Sequence, residues 1–462
     1  MSSSRRPVYV NKKLVDTGAP LVESRAAEFF HRRLSGYAPT PLVSLPDVAK
    51  QLKLKGLYVK DESSRLGLPS FKVLGASWAT FHTIARTLGL PLDIEIQDLA
   101  IEAAKASLKL FAATDGNHGR AVAFMAKVLS LPACIYVPST LSEHTKNAIS
   151  GEGVSVIVGP GDYDSVVQDA FEASRATAGG IFIQDTSFPL YEDIPARIVE
   201  GYSTMFREID EQLTNRAADC DFIFTPVGVG SLAHGVVQHY KSQARQKPTK
   251  VVTVEPDTAA CLYKSLSAEN CSKIKTSYTI MTGLDCGTVS QTAWPDLRSH
   301  VDASCTVSDY EVHHALQELE KHGISAGPCG ASGFAALRLL AEGLRHTTGI
   351  QEDSVVVLLN TEGPRPYDIP YDVTSDDPVV LTRMLAQIES TNPTLSISKR
   401  TRETCIADYI EAWLQHRGFE SHRSEYTRKV DVSHLAYSCC SRLNSRVVTA
   451  GSTISDFRIS NQ

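Results

Sequence analysis

The sequence predicts an α/β fold of parallel sheets covered by helices on both faces, with a short helical appendage at the C-terminal end. Three observations lead there. From about Gly56 to Gly363, short β-rich apolar runs alternate with longer runs of helical periodicity. Strands that alternate with helices imply parallel sheets. The chain has 462 residues, 42% hydrophobic and 21% charged, enough for two or three domains with real cores. After Tyr367 the alternation stops, and an acidic, turn-rich stretch, DIPYDVTSDDP, reads as a linker into two amphipathic helices.

In chain order, the expected strands are GLYVK, LKLFAAT, ACIYVP, VSVIVG, GIFIQDT, DFIFTPV, KVVTVEP and SVVVLLN. The expected helices begin with FKVLGASWATFHTIARTL and HGRAVAFMAKVLS. DSVVQDAFEASRATA, PARIVEGYSTMFREIDEQL, SLAHGVVQHYKSQ and DYEVHHALQELEKHG follow. Ser308 stands ahead of the last of these with Glu311 three residues on, the spacing of a capping box. VVLTRMLAQIES and TRETCIADYIEAWLQHRGF are the two amphipathic helices of the appendage, and no internal repeat is visible.

The formal charge of −6 and the few aromatic residues give no footprint for nucleic acid. The start, MSSSRRPVYVNKKL, has no apolar core of a secretory signal, and no run approaches the roughly 20 apolar residues of a membrane span. The ten cysteines are scattered and form no zinc-spaced CxxC pair, so reduced thiols in a cytoplasmic protein, with no metal site, are expected.

In such sheets, ligands sit beyond the carboxyl ends of the strands. Three junctions there stand out. LGLPSFKVLGAS places a single amine, Lys72, at a helix start among small and apolar residues, just after the charged run VKDESSR. The helix dipole and burial both push such a lysine toward the neutral amine, a nucleophile or a base. A surface lysine snorkelling past the apolar face is the competing reading. In LFAATDGNHGRAVAFMAK, a strand runs into a tight loop, Asp115 to Gly119. Asn117 can donate or accept there, Asp115 can cap the helix, and His118 reads as a packing or capping residue ahead of a ligand. In DFIFTPVGVGSLAHGVVQHY, Gly228, Val229, Gly230 and Ser231 form either an anion-binding turn or a close packing turn, without the full dinucleotide fingerprint.

Together, a buried amine, a Gly/Asn loop and a phosphate cradle are what pyridoxal phosphate requires, and Thr361 in SVVVLLNTEG is a candidate partner for its ring nitrogen. SFK, DGNHG and GVGS in this order resemble the fold type II, tryptophan-synthase-β-like pyridoxal-phosphate enzymes. KDESSRLGLPSFKVLGA, ATDGNHGRAVA, QDTSFPLYEDIPARIVEGY, IMTGLDCG and NTEG narrow the resemblance to the diaminopropionate ammonia-lyases, over roughly Tyr37 to Tyr367. The resemblance implies two sheets: a large cofactor domain, residues 1–70 and 186–370, and a small α/β domain, residues 71–185. It implies that Lys72 forms the Schiff base and takes the Cα proton of the L-isomer. Asp115 would take the proton of the D-isomer, and Asp185 would be a second active-site carboxylate. It further implies Asn117 at the cofactor's phenolic oxygen, Gly228, Val229, Gly230 and Ser231 at its phosphate, and Thr361 at its ring nitrogen. The partner is an amino-acid substrate, and the assembly a homodimer. One departure stands in SAGPCGASG, where Pro328 and Cys329 replace the acid expected after the first glycine, in a stretch expected to lie over the cofactor.

DPVVLTRMLAQIESTNP and IADYIEAWLQHRGFE resemble the first helices of M20-type metallopeptidases and deacetylases. That family's His-x-Asp ligand motif is absent, and His434 has no Asp two residues on. Residues 371–426 are thus expected to be a truncated helical fragment of that kind, and residues 427–462 a disordered tail.

Overall fold

The computed structural model describes residues 5–12, 25–114, 116–139, 141–160, 163–242, 245, 247–343, 345–374, 402–418, 420–423 and 457–460. Within these, eleven strands form two sheets: β1 (Tyr9–Val10), β2 (Leu42–Ser44), β3 (Gly56–Asp61), β4 (Lys109–Ala113), β5 (Ala133–Pro138), β6 (Ser155–Gly159), β7 (Gly180–Phe182), β8 (Phe222–Pro226), β9 (Lys250–Pro256), β10 (Ala303–Val307) and β11 (Val355–Asn360). The large sheet runs β1-β10-β9-β8-β11-β3-β2, parallel except for the two edge strands. The small sheet, β6-β5-β4-β7, is parallel throughout. All eight strands expected from the sequence are present. β8 and β11 are buried at every position, as strands covered on both faces must be. β1, β2 and β10 were not anticipated. β1 and β2 are two and three residues long, too short to show a period.

The Lys72–Thr87 helix is buried along almost its whole length. It packs against the Asn117–Val128 helix on one side and the Asp193–Thr214 helix on the other. A helix apolar all round belongs in a core, and this one lies where the elements of both sheets meet. The Ser308–Glu311 capping box forms as the spacing requires, with Ser308 Oγ accepting from Glu311 N at 3.3 Å and Glu311 Oε2 accepting from Ser308 N at 2.8 Å.

SAGPCGASG, glycine-rich as it is, opens a helix, Pro328–Gly343. Its glycines serve packing: a Cβ on Gly330 would lie 1.9 Å from Asn360 Oδ1 at the end of β11. The helix therefore sits against the large sheet more closely than any larger residue would permit.

Beyond the linker, the Arg402–His416 helix bears out the second amphipathic helix. Tyr409, Ile410, Trp413 and Leu414 are buried. His416 Nδ1 lies 2.7 Å from Asp257 Oδ2, and the backbone N–H of Arg6 donates to His416 O at 2.7 Å. The Arg5–Arg6 segment and the Arg402–His416 helix thus meet at one edge of the large sheet, where Arg5 also pairs with Glu311 at 2.8 Å. Phe457–Ser460 pairs antiparallel with Glu420–Arg423. The first amphipathic helix of the appendage, His434 and most of the expected tail fall outside the described residues. No helix among the described residues is long and apolar enough to cross a membrane.

Half of the charged run KDESSR is buried. Lys60, Glu62 and Arg65 are fully enclosed, and Glu208 reaches them from the Asp193–Thr214 helix. Glu208 Oε2 takes Lys60 Nζ at 2.6 Å, its Oε1 takes Arg65 Nη1 at 2.7 Å, and Glu62 Oε1 takes Arg65 Nη2 at 2.6 Å. Thr40 adds its hydroxyl to Glu62 at 2.6 Å and its carbonyl to Lys60 at 2.8 Å. Every buried charge is paired, which is the condition for keeping it there.

Candidate active site

The strand ends of the two sheets converge on one cavity of about 210 Å³. Thr114 and Asn117 reach it after β4, Asp185 after β7, Gly228 to Ser231 after β8, and Thr361 to Arg365 after β11. Lys72 reaches it from the start of its helix, where Ser70 Oγ accepts the Lys72 backbone N–H at 3.1 Å. Apart from Asp115, the residues chosen from sequence come together here. Asp115 lies outside the described residues.

The Lys72 side chain is about a quarter exposed and forms an ion pair with Asp185 Oδ2. Burial opposes the charge of Lys72, but Asp185 outweighs burial and lifts the amine above its usual range. With no cofactor attached, the Asp185 pair therefore favours the ammonium, where apolar burial alone led to the expectation of a neutral amine. Lys72 can act as a base or nucleophile only once that pair opens. On Asp185, burial favours the neutral form, yet the Lys72 charge prevails and holds the carboxyl at about 2.

Gly228 to Ser231 link β8 to the Ser231–Tyr240 helix. Gly230 has φ +97°, a conformation that L side chains rarely adopt. No described acceptor takes the backbone N–H groups of Gly228, Val229, Gly230 or Ser231. These donors, at a helix N-terminus lining a cavity, suit an anion. The Ser231 hydroxyl is engaged otherwise and donates to the backbone carbonyl of Asp185 at 2.7 Å, tying the loop to the Asp185 backbone.

Thr361 is buried directly after β11, and its carbonyl accepts from Phe71 N at 3.3 Å. Asn117 opens its helix and donates from Nδ2 to Glu362 Oε2 at 2.9 Å. His118 is a packing residue: Nε2 bonds Ile183 O at 2.9 Å, and burial pushes its pKa down, with Asp185 opposing only in part. An amine, orphaned N–H groups, a hydroxyl and an amide thus surround one cavity, and they fit the aldehyde, phosphate and ring atoms of pyridoxal phosphate.

Glu362 and Arg365 are among the lining residues given no role from sequence. Glu362 is buried. Arg365 bonds Ile280 O at 2.7 Å and the Thr282 hydroxyl, and lies 3.5 Å from Cys329 Sγ. Glu362 stands in the quoted motif NTEG, so a signal for it existed. Glu362 also reaches the departing stretch, where its Oε1 accepts the Cys329 backbone N–H at 3.0 Å.

Comparison with known proteins agrees with this geometry. A family model described as "Pyridoxal-phosphate dependent enzyme" matches residues 34–362. Diaminopropionate ammonia-lyase of Escherichia coli (strain K12) is 32% identical over 356 residues, covering 74% of this chain and 88% of that protein. The Salmonella typhimurium diaminopropionate ammonia-lyase is 32% identical over 374 residues, 74% of this chain and 90% of that one. The solved E. coli diaminopropionate ammonia lyase in complex with an aminoacrylate-PLP azomethine reaction intermediate superposes with a TM-score of 0.71 at 29% identity, over 77% of this chain and 93% of that one.

Proposed function

Since the chain belongs to the family of pyridoxal-phosphate-dependent enzymes, we propose that it is an ammonia-lyase acting on 2,3-diaminopropionate. With one water consumed, the products are pyruvate and two molecules of ammonia. The relatives named above support the substrate. The observation that carries the site is the Lys72–Asp185 pair on the cavity that holds the orphaned N–H groups of Gly228 to Ser231.

Pyridoxal phosphate supplies, when bound, a sink for the electron pair left at Cα. The chain's residues do the rest. Lys72 would hold the cofactor, and its Nζ would take the Cα proton of the L-isomer. Asp115 takes it from the opposite face in the D-isomer. Gly228, Val229, Gly230 and Ser231 offer backbone N–H groups to the phosphate, Asn117 faces the phenolic oxygen, and the Thr361 hydroxyl faces the ring nitrogen. A neutral hydroxyl there leaves that nitrogen largely unprotonated. The substrate carries two ammonium groups near neutral pH, and two carboxylates, Asp115 and Asp185, offset that charge and keep the β-amine protonated. A protonated amine leaves as neutral ammonia, a far better leaving group than amide. A monoamino substrate has no use for both carboxylates.

The two-face assignment has a direct test. Asp115→Asn lowers turnover of D-diaminopropionate by about 10²-fold or more, the scale of a lost acid–base group, and that of the L-isomer far less. Steady-state rates on the separate isomers decide it, and equal losses would refute it.

We propose further that the protein works as a cytoplasmic homodimer, and that residues 371–426 derive from the start of an M20-type hydrolase. Light scattering of the purified full chain tests the first. A longer transcript encoding a complete metal-binding domain would support the second.

A further inference from the structure

Glu362 is the carboxylate of this cavity that the chemistry above leaves without a task. It is buried and accepts two hydrogen bonds, from Asn117 Nδ2 at 2.9 Å on Oε2 and from Cys329 N at 3.0 Å on Oε1, while the Arg365 guanidinium forms an ion pair with it, Nε lying 3.4 Å from Oε1. Only donors face it, as an acceptor-only carboxylate requires. The contact therefore settles which way round the Asn117 amide stands. Its oxygen would repel the carboxylate, so its nitrogen must face Glu362. That nitrogen carries two hydrogens. Glu362 takes one, and the other remains for a second acceptor in the cavity that Asn117 and Lys72 both line.

We propose that Glu362 is a positioning residue, holding Asn117 so that an N–H, and not the amide oxygen, meets the cofactor's phenolic oxygen. The proposal rests on the reading of Asn117 as the partner of that oxygen. Its consequence has a definite sign. A donor on the phenolic oxygen draws negative charge away from the neighbouring protonated C=N linkage to Lys72. The linkage then releases its proton more readily. Without the donor, the proton is held more tightly, and the visible band titrates at higher pH. A purely electrostatic role for Glu362 has the opposite sign, because removing a nearby negative charge makes the proton easier to lose.

The experiment is a spectrophotometric pH titration of the visible band in the holoenzyme. Glu362→Gln keeps the shape but can present either an oxygen or a nitrogen to Asn117, which frees the amide to turn over. The expected result is a rise in the band's apparent pKa of about 1 unit, the weight of one charge-assisted hydrogen bond. Asn117→Ala gives a rise at least as large, and adding Glu362→Gln to Asn117→Ala changes nothing further. A fall, no change, or an additive shift in the double variant would overturn the proposal. No shift in Asn117→Ala would remove the reading of Asn117 together with the proposal, leaving the Lys72 assignment untouched. If Glu362→Gln fails to take up cofactor, Glu362→Asp, one methylene short of Asn117, gives the same readout, and thermal unfolding of each apoprotein checks that the variants fold.

Discussion

Lys72→Ala removes the borohydride-reducible visible absorption of the protein loaded with pyridoxal phosphate and lowers pyruvate release by roughly 10³-fold or more, the scale of losing a covalent nucleophile that also moves the proton. The fold survives, because the side chain is partly exposed and, among the described residues, pairs ionically with Asp185 alone. The variant also changes acid stability. In the apoprotein, the folded-state pKa of Asp185 is depressed from 3.8 to about 2. The stability this contributes is fully present above about pH 4 and is lost as the pH falls toward 2. Without Lys72, burial of Asp185 is opposed only by His118 and a backbone hydrogen bond, so that acid-side loss shrinks. A visible band that persists in Lys72→Ala would show that another amine holds the cofactor.

Glu208→Ala has the largest expected effect on stability. It leaves Lys60 and Arg65 buried with Glu62 as their remaining carboxylate, and breaking a buried ionic cluster from one side costs about 3–5 kcal/mol. Urea unfolding read by far-UV circular dichroism measures the loss. Lys105→Ala, which removes one half of the exposed Lys105–Glu102 pair, changes the midpoint by no more than about 0.5 kcal/mol in equivalent stability. Burial raises the Glu208 pKa, but Arg65 and Lys60 together override it and hold the carboxyl below the usual range. Its contribution is therefore present above the unfolded value of about 4.5 and lost as the pH falls below it.

Eight of the eleven strands in the two sheets were legible because each is a compact apolar run among helices of clear period, whereas β1, β2 and β10 were not. The cavity was legible because chemistry in such sheets gathers at strand ends. Lys72, Asn117, Asp185, Gly228 and Thr361 lie far apart in sequence but follow different strands to one place. Three features were less legible, each for a physical reason. Glycines in SAGPCGASG look like loop residues, yet here they clear space for a helix against β11, and only the neighbouring Asn360 reveals that need. The charges of KDESSR look solvated until Glu208, about 140 residues on, supplies their partner. The amine of Lys72 looks neutral from its apolar neighbours, and Asp185, 113 residues away, reverses this. Local pattern shows what a residue is next to in sequence, and charge pairing depends on what it meets in the fold.

The most direct test of the central claim is pyruvate release by the purified full chain with added pyridoxal phosphate, offered L- and D-diaminopropionate alongside L- and D-serine. Rapid release from diaminopropionate, with little from serine, is the predicted result. Release from serine alone would contradict it and place the protein among the hydroxyamino-acid dehydratases.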